Sequence, residues 1–318
     1  MPTGEYLQYG GQAVIEGVMM RSPRYFAIAC RSPKQEIVLQ SEPIEATWIG
    51  RQKWLKRPFL RGTLALLDAM ALGIKALQFS ANVQLEEEKK EAPEGEAAKV
   101  VPDSKSASIQ GFAVGGAMVF ALIFGMFLFV FLPTYISDLL KARHWQDRSL
   151  NMLDGVLRIT IFVIYVSVIG MLKDIQRVFQ YHGAEHKAVN TLEANLPLTL
   201  ENAKLQTRLH PRCGTSFIMV VLIISIFVFS FLPRPPIFLR MPLHMIALPI
   251  IAGFAYEAIR LAGRFKTKAI TKLAFAPGLL SQFLTTREPT DDQIEVALIA
   301  LKTVVEKEVE RDQAVPVA

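Results

Sequence analysis

The 318-residue sequence predicts a mainly α-helical fold. It reads as a polytopic membrane helical bundle of about four transmembrane helices, with a small N-terminal cytoplasmic β-containing module and a C-terminal soluble helix. Three observations carry this reading. Hydrophobic residues make up 51% of the chain and the mean hydropathy is +0.30, too apolar for two ordinary soluble domains. Residues 111–132 and 214–232 hold no charge, and at about 1.5 Å per residue the first run covers a hydrocarbon core of about 30 Å. Lys and Arg gather beside alternate ends of the apolar runs, as the positive-inside rule asks of a multi-pass protein.

Taken in order, residues 1–85 form an N-terminal cytoplasmic module. Residues 6–23 hold Gly10, Gly11, Gly17 and a Met19-Met20 pair, too much glycine for a stable exposed helix, so close packing is expected. Two β-prone runs, 25–31 and 36–43, flank Ser32-Pro33-Lys34 and predict a hairpin. Residues 48–79 mix Trp54, Phe59 and Leu64 with Arg51, Lys53 and Arg57, the pattern of a helix lying on a membrane. Asp68 and Lys75 near its middle argue against a crossing. Residues 86–110 read as a flexible charged linker opening on Glu86-Glu87-Glu88-Lys89-Lys90.

Residues 111–272 form the membrane domain, with further spans at 155–172, carrying Arg158, and at 241–261, carrying His244, Pro249 and Glu257. Between the second and third spans, the loop 173–213 reads as two helices joined by a turn at Pro197. Within the C-terminal segment 273–318, Ala276-Pro277-Gly278 punctuates the chain and Thr290-Asp291-Asp292 caps a final amphipathic, soluble helix over 294–309.

Lys173, Arg177, Lys187, Lys204, Arg208 and Arg212 place the 173–213 loop in the cytoplasm, and Arg260, Arg264, Lys266, Lys268 and Lys272 do the same after the fourth span. Both termini are then cytoplasmic. The pI near 9.3 reflects bases clustered beside spans, not interleaved with aromatics on a separate domain. That excludes nucleic acid as the expected partner and favours a bilayer with anionic headgroups. Two cysteines, Cys30 and Cys213, give no disulfide framework and should stay reduced.

The chemistry-bearing motif is Tyr181-His182-Gly183-Ala184-Glu185-His186-Lys187, which contains H-x-x-E-H, the inverted zinc-peptidase pattern. On a helix, four residues turn the chain through about 400°, so His182 and His186 leave one face with about 6 Å of rise between them. That suits a shared divalent metal, with zinc the expected ion. Glu185 lies between them and can orient or deprotonate the attacking water as general base.

Two completions compete. His210 and Cys213, two residues apart before the third span, would close a three-His, one-Cys tetrahedron, which favours a structural metal. Glu257 would instead leave one position open for water. Glu193 lies about 10 Å along a continuous helix from His186, as an outer support or a substrate contact. Glu16 and Arg21 read as a buried polar pair anchoring the glycine-rich segment, with a catalytic role as the rival reading. His244 and Asp68 read as structural polar residues.

Three separated motifs, Gly10-Gly11-Gln12-Ala13-Val14-Ile15-Glu16-Gly17-Val18-Met19-Met20-Arg21, the histidine motif, and His210-Pro211-Arg212-Cys213-Gly214-Thr215-Ser216, resemble the YqhQ-like family of bacterial membrane proteins. The resemblance extends to Ala276-Pro277-Gly278-Leu279-Leu280. It implies placement in the bacterial cytoplasmic (inner) membrane and the label of predicted metal-dependent enzyme, with no substrate attached. Two functions of different class are therefore expected from the sequence. One is a metal-dependent hydrolase acting on a peptide or lipid-linked substrate at the cytoplasmic membrane surface. The other is a non-enzymatic membrane scaffold or transport accessory with a structural metal. A transporter would need several ionisable residues deep in the spans, and the sequence shows few.

Overall fold

The structure, a computed structural model, describes residues 9–44, 60–91, 116, 119–141, 145–264 and 269–314. Strands β1 (Gly10–Val14), β2 (Gly17–Arg21), β3 (Tyr25–Arg31) and β4 (Ile37–Pro43) pair antiparallel in chain order. The helices are α1 (Leu60–Glu91), α2 (Val119–Leu139), α3 (Asp147–Ile169), α4 (Lys173–Glu193), α5 (Leu200–Lys204), α6 (Gly214–Ser230), α7 (Ile237–Arg264), α8 (Ala269–Thr285) and α9 (Asp291–Ala314). Contacts divide the chain into two compact units. The first gathers Met1–Glu87, Val166–Val220 and Gly253–Ala318; the second gathers Glu88–Tyr165 and Val221–Ala252. The aromatic and basic run 48–57, the linker residues 92–108, most of the first expected span before Val119 and the side chains of Arg260, Arg264, Lys266, Lys268 and Lys272 lie outside the described residues.

In the first unit, the expected hairpin is β3–β4. Ser32 N–H donates to Glu36 O at 2.8 Å and Gln35 takes the left-handed conformation, φ 68°. The preceding hairpin, β1–β2, was not legible as strands, because glycines hide it and β2 is buried on both faces. Those glycines serve contact. A Cβ on Gly17 would lie 2.3 Å from Ala29 O, and one on Gly11 would lie 2.5 Å from Met19 O and 2.8 Å from Glu185 Cγ.

Side chains alternate across the sheet, as the two-residue period of a strand requires. Val18, Met20, Ala27 and Ala29 pack with Tyr181 and Ala184 of α4 and with Ile294, Ala297 and Leu301 of α9. Met19, Phe26, Ile28 and Cys30 pack on the other face with Leu72 and Ala76 of α1. Helices therefore cover both faces. α9 is not a separate tail but a wall of this core, capped by Thr290, whose N–H donates to Gln293 Oε1 at 3.0 Å in a capping-box arrangement.

Several expectations are corrected here. Arg21 pairs with Asp68 at 2.6 Å, not with Glu16; Asp68 is buried against the sheet side of α1 and so takes the nearest cation. α1 continues through the charged run 86–90 that the sequence assigned to the linker. Pro277-Gly278 does not break the chain but lies inside α8. A Cβ at Gly278 would sit 2.8 Å from Ser216 Cβ, so this glycine lets α6 and α8 touch.

The second unit is helical. α2 widens into a π-turn at Phe127–Phe131, just before Pro133, where the missing N–H and the ring of proline disfavour an ordinary α-turn. Arg158 Nη2 lies 2.9 Å from both Asp154 Oδ2 and His244 Nδ1, and Thr134 Oγ1 donates to Asp154 Oδ1 at 3.0 Å. Asp138 pairs with Arg234 at 2.8 Å and Arg240 at 3.1 Å. The sequence understated these ionisable groups because it shows each alone, whereas the fold makes them mutual partners. Among the described residues, three helical stretches are long and apolar enough to cross a membrane: Val119–Leu139, Asp147–Ile169 and Ile237–Ala258. The remaining expected span is the apolar α6, which at 17 residues is shorter.

Candidate metal centre

Helix α4 carries His182, Glu185 and His186, and the four-residue spacing sets the two imidazoles edge to face on one side of the helix, ring centroids 4.4 Å apart. Gly183 lets that helix approach the chain leaving α8. A Cβ there would meet Arg287 O at 2.2 Å. The close approach brings His182 Nδ1 to 2.8 Å from Thr285 O, while His186 Nδ1 lies 2.6 Å from Arg208 O. A carbonyl oxygen can only accept, so each Nδ1 carries the proton and each Nε2 presents a lone pair.

Those lone pairs converge with a thiol. His182 Nε2 lies 3.0 Å from Cys213 Sγ, and ligand atoms of His182, His186 and Cys213 all fall within 4.8 Å of one another. His186 Nε2 is buried and completes no hydrogen bond, although Glu185 Oε2 stands 3.4 Å away. An unsatisfied buried lone pair is costly, and a cation between the three donors would satisfy it. Imidazole nitrogen oriented by a backbone carbonyl, with thiolate as third donor, is a donor set that fits zinc.

Cys213 is held by a turn that α8 clamps. Gln282 Oε1 accepts from His210 N at 2.8 Å, and its Nε2 donates to His210 O and Ser216 Oγ, each at 2.7 Å. Gln282 escaped the sequence reading; its signal is a lone amide in an otherwise apolar helical run. Thr285, which orients His182, escaped it too, because only its backbone takes part.

The other sequence-selected residues fall nearby but in different roles. His210 Nε2 faces Glu193 Oε1 at 3.3 Å, and Arg212 also pairs with Glu193, so the rings of His186 and His210 stand 5.7 Å apart without sharing the cluster. Glu257 lies outside the cluster as well. Glu16 accepts from Arg177, through Nε at 2.5 Å and through Nη2, and from Tyr181 OH at 3.4 Å. It therefore braces the β1–β2 turn against α4.

Burial pushes the Glu185 carboxyl above its ordinary range, against the pull of His182, His210, a Gly11 backbone hydrogen bond and Arg212. It depresses the His186 imidazole and the Arg212 guanidinium. Desolvation, reinforced by Glu16, raises the Tyr181 phenol.

Fold and site together define a mainly helical, membrane-type protein whose sheet-bearing unit gathers two histidines and a cysteine. The chain belongs to the family described as "Protein of unknown function (DUF1385)", whose model matches residues 57–307. It is 35% identical over 292 residues to "Uncharacterized protein YqhQ" of Bacillus subtilis (strain 168), covering 91% of this chain and 90% of that protein. The family expected from the three motifs is thereby shown. No solved structure matches.

Proposed function

We propose that the chain is a metal-dependent hydrolase of the bacterial cytoplasmic membrane, its site on the cytoplasmic side. The observation that carries this reading is the convergence of His182 Nε2, His186 Nε2 and Cys213 Sγ, with both Nδ1 atoms tied to carbonyls and Glu185 alongside. Zinc suits two imidazoles and a thiolate, and when bound it would polarise a scissile carbonyl or phosphoryl group. Thr285 O and Arg208 O fix the two rings; Glu185, outside the three donors, is placed to take a proton from water. Its Oε2 is the receiving atom. Because His210 turns to Glu193, three protein donors remain among the described residues, the number typical of catalytic sites, whereas structural sites usually close with four. That favours the hydrolase over the scaffold.

Membrane placement follows the same unit. β1–β4, α4 and α9 share one core, so residues 10–43, 173–193 and 291–314 belong on one side of any bilayer. An even number of crossings must separate them. α2 and α3 supply two before α4; α7 alone after α5 would be odd, and α6 restores parity. The basic residues of α4 and α5 support a cytoplasmic assignment for that side.

Metal analysis of protein purified without chelator tests the centre. One zinc per chain is expected in the wild type and in Glu185→Gln, with loss in His186→Ala and Cys213→Ala. Glu185→Gln should also co-purify with unreacted substrate, visible by mass spectrometry. Wild-type protein without stoichiometric metal would sink the reading.

A further inference from the structure

Beside the three donors, the first unit holds an open cavity of about 410 Å³ whose walls include Arg208, Arg287, Glu288, Val166, Phe283 and Leu284. We propose that this cavity binds the phosphate of a membrane lipid, making phosphate-bearing lipids the substrate class of the neighbouring site. The assignment of substrate rests on the hydrolase reading; the binding itself does not.

Charge gives the first argument. Arg287 spends only Nη2, donating to Gly170 O at 2.9 Å, and has no carboxylate partner among the described residues. Glu288, the one acid in the wall, is already taken by Lys187 Nζ at 2.7 Å and stands 3.9 Å from Arg208 Nε. Within the wall, Arg208 and Arg287 against Glu288 leave one net positive charge, and Lys187, which pairs with Glu288 from outside the wall, adds a second. Guanidinium forks match phosphate oxygens in geometry as well as sign.

The second argument is the apolar wall. Phe283 is 55% and Leu284 38% exposed, and Leu280, Met171 and Leu172 nearby are exposed too. A free anion gains nothing from such a wall, but an acyl chain does. Val166 lies in the last turn of Asp147–Ile169, a helix long and apolar enough to cross a membrane, so one wall of the cavity is the end of such a helix. Third, the wall is continuous with the metal-orienting backbone. Thr286 follows Thr285, whose carbonyl oxygen holds His182, and Arg208 supplies the oxygen that holds His186.

Binding of dioctanoyl phosphatidic acid, dioctanoylglycerol and inorganic phosphate to the full chain in maltoside micelles tests the proposal, read by native mass spectrometry. Phosphatidic acid should bind at least tenfold more tightly than either other probe. Arg287→Gln should weaken it about tenfold with an unchanged unfolding midpoint, and Arg287→Lys should recover part of the loss. Repeating the titration after chelation separates the two claims, since lipid binding should survive metal removal even if the hydrolase reading fails. Equal binding of dioctanoylglycerol or of inorganic phosphate, or an Arg287→Gln protein that binds like wild type, would overturn it.

Discussion

Gly183 sits between His182 and Glu185 in sequence, yet its own part is to have no side chain. With Arg287 O only 2.2 Å from where a Cβ would stand, Gly183→Ala must push α4 away from the chain that carries Thr285. Overpacking of this kind costs about 1–3 kcal/mol. The midpoint of thermal unfolding should fall, and metal content should fall with it because His182 loses its orienting carbonyl. A Gly183→Ala protein as stable and as metal-loaded as wild type would refute this account of the helix approach. The two cysteines separate in the same way. Burial and the Glu16 carboxylate push the Cys30 thiol up to about 12, so almost none is thiolate near pH 8 and the folded protein should resist alkylation there. If the proposed metal is bound, it would tie up the sulfur of Cys213, which should then react slowly as purified and faster after chelator treatment. Peptide mass spectrometry after iodoacetamide reads both sites at once. A Cys213 rate indifferent to chelator would count against the centre.

At the level of elements, α9 is tied to the sheet by a buried acid. Glu308 accepts from Ser22 Oγ at 2.7 Å, from Arg24 N at 2.8 Å and from Arg24 Nε at 2.5 Å, with its side chain 7% exposed. Asp312, which also pairs with Arg24, is 52% exposed. Arg24 is a third exposed and can turn to water, but Ser22 Oγ and the Arg24 backbone N–H would lose their acceptor, so Glu308→Ala should cost about 2 kcal/mol. Asp312→Ala should cost less than about 1 kcal/mol. Chemical denaturation of the two variants decides the order, and an equal loss would show that burial of Glu308 is unimportant. How much of this was legible depends on period. The long apolar helices, the β3–β4 hairpin, the two-helix loop and the cap at Thr290 announce themselves through runs, turns and caps. β1 and β2 do not, because glycine masks the first and two-sided burial removes alternation from the second. The His182, Glu185 and His186 face was readable from spacing alone, and Cys213 stood among the rival completions. What spacing could not supply was the direction of His210 and Glu257, which depends on which elements meet in space: Glu193 and Arg212 draw His210 aside.

For the whole molecule, the sharpest consequence is topological. The core shared by Val18, Ala184 and Leu301 cannot form across a bilayer, so the sheet, α4 and α9 must face the same compartment. α7, with α2 and α3, is long and apolar enough to cross, which leaves α6 or α8 to make the count even. α8 buries Gln282 and Thr285 in the clamp around His210 and Thr215, and this polar face suits protein more than lipid. α6 has no charge, and its 17 residues reach about 25 Å, a shortfall of about 5 Å that a bilayer tolerates at fractions of a kcal/mol per Å. Epitopes inserted at residues 140–146 and at 231–236 should therefore be reached by antibody on intact spheroplasts. Epitopes at 195–199 or at the C-terminus should be reached only after permeabilisation. If the 231–236 epitope were also hidden until permeabilisation, α6 would not cross. Either α7 would then lie on the same side, or the common core of sheet, α4 and α9 would be wrong.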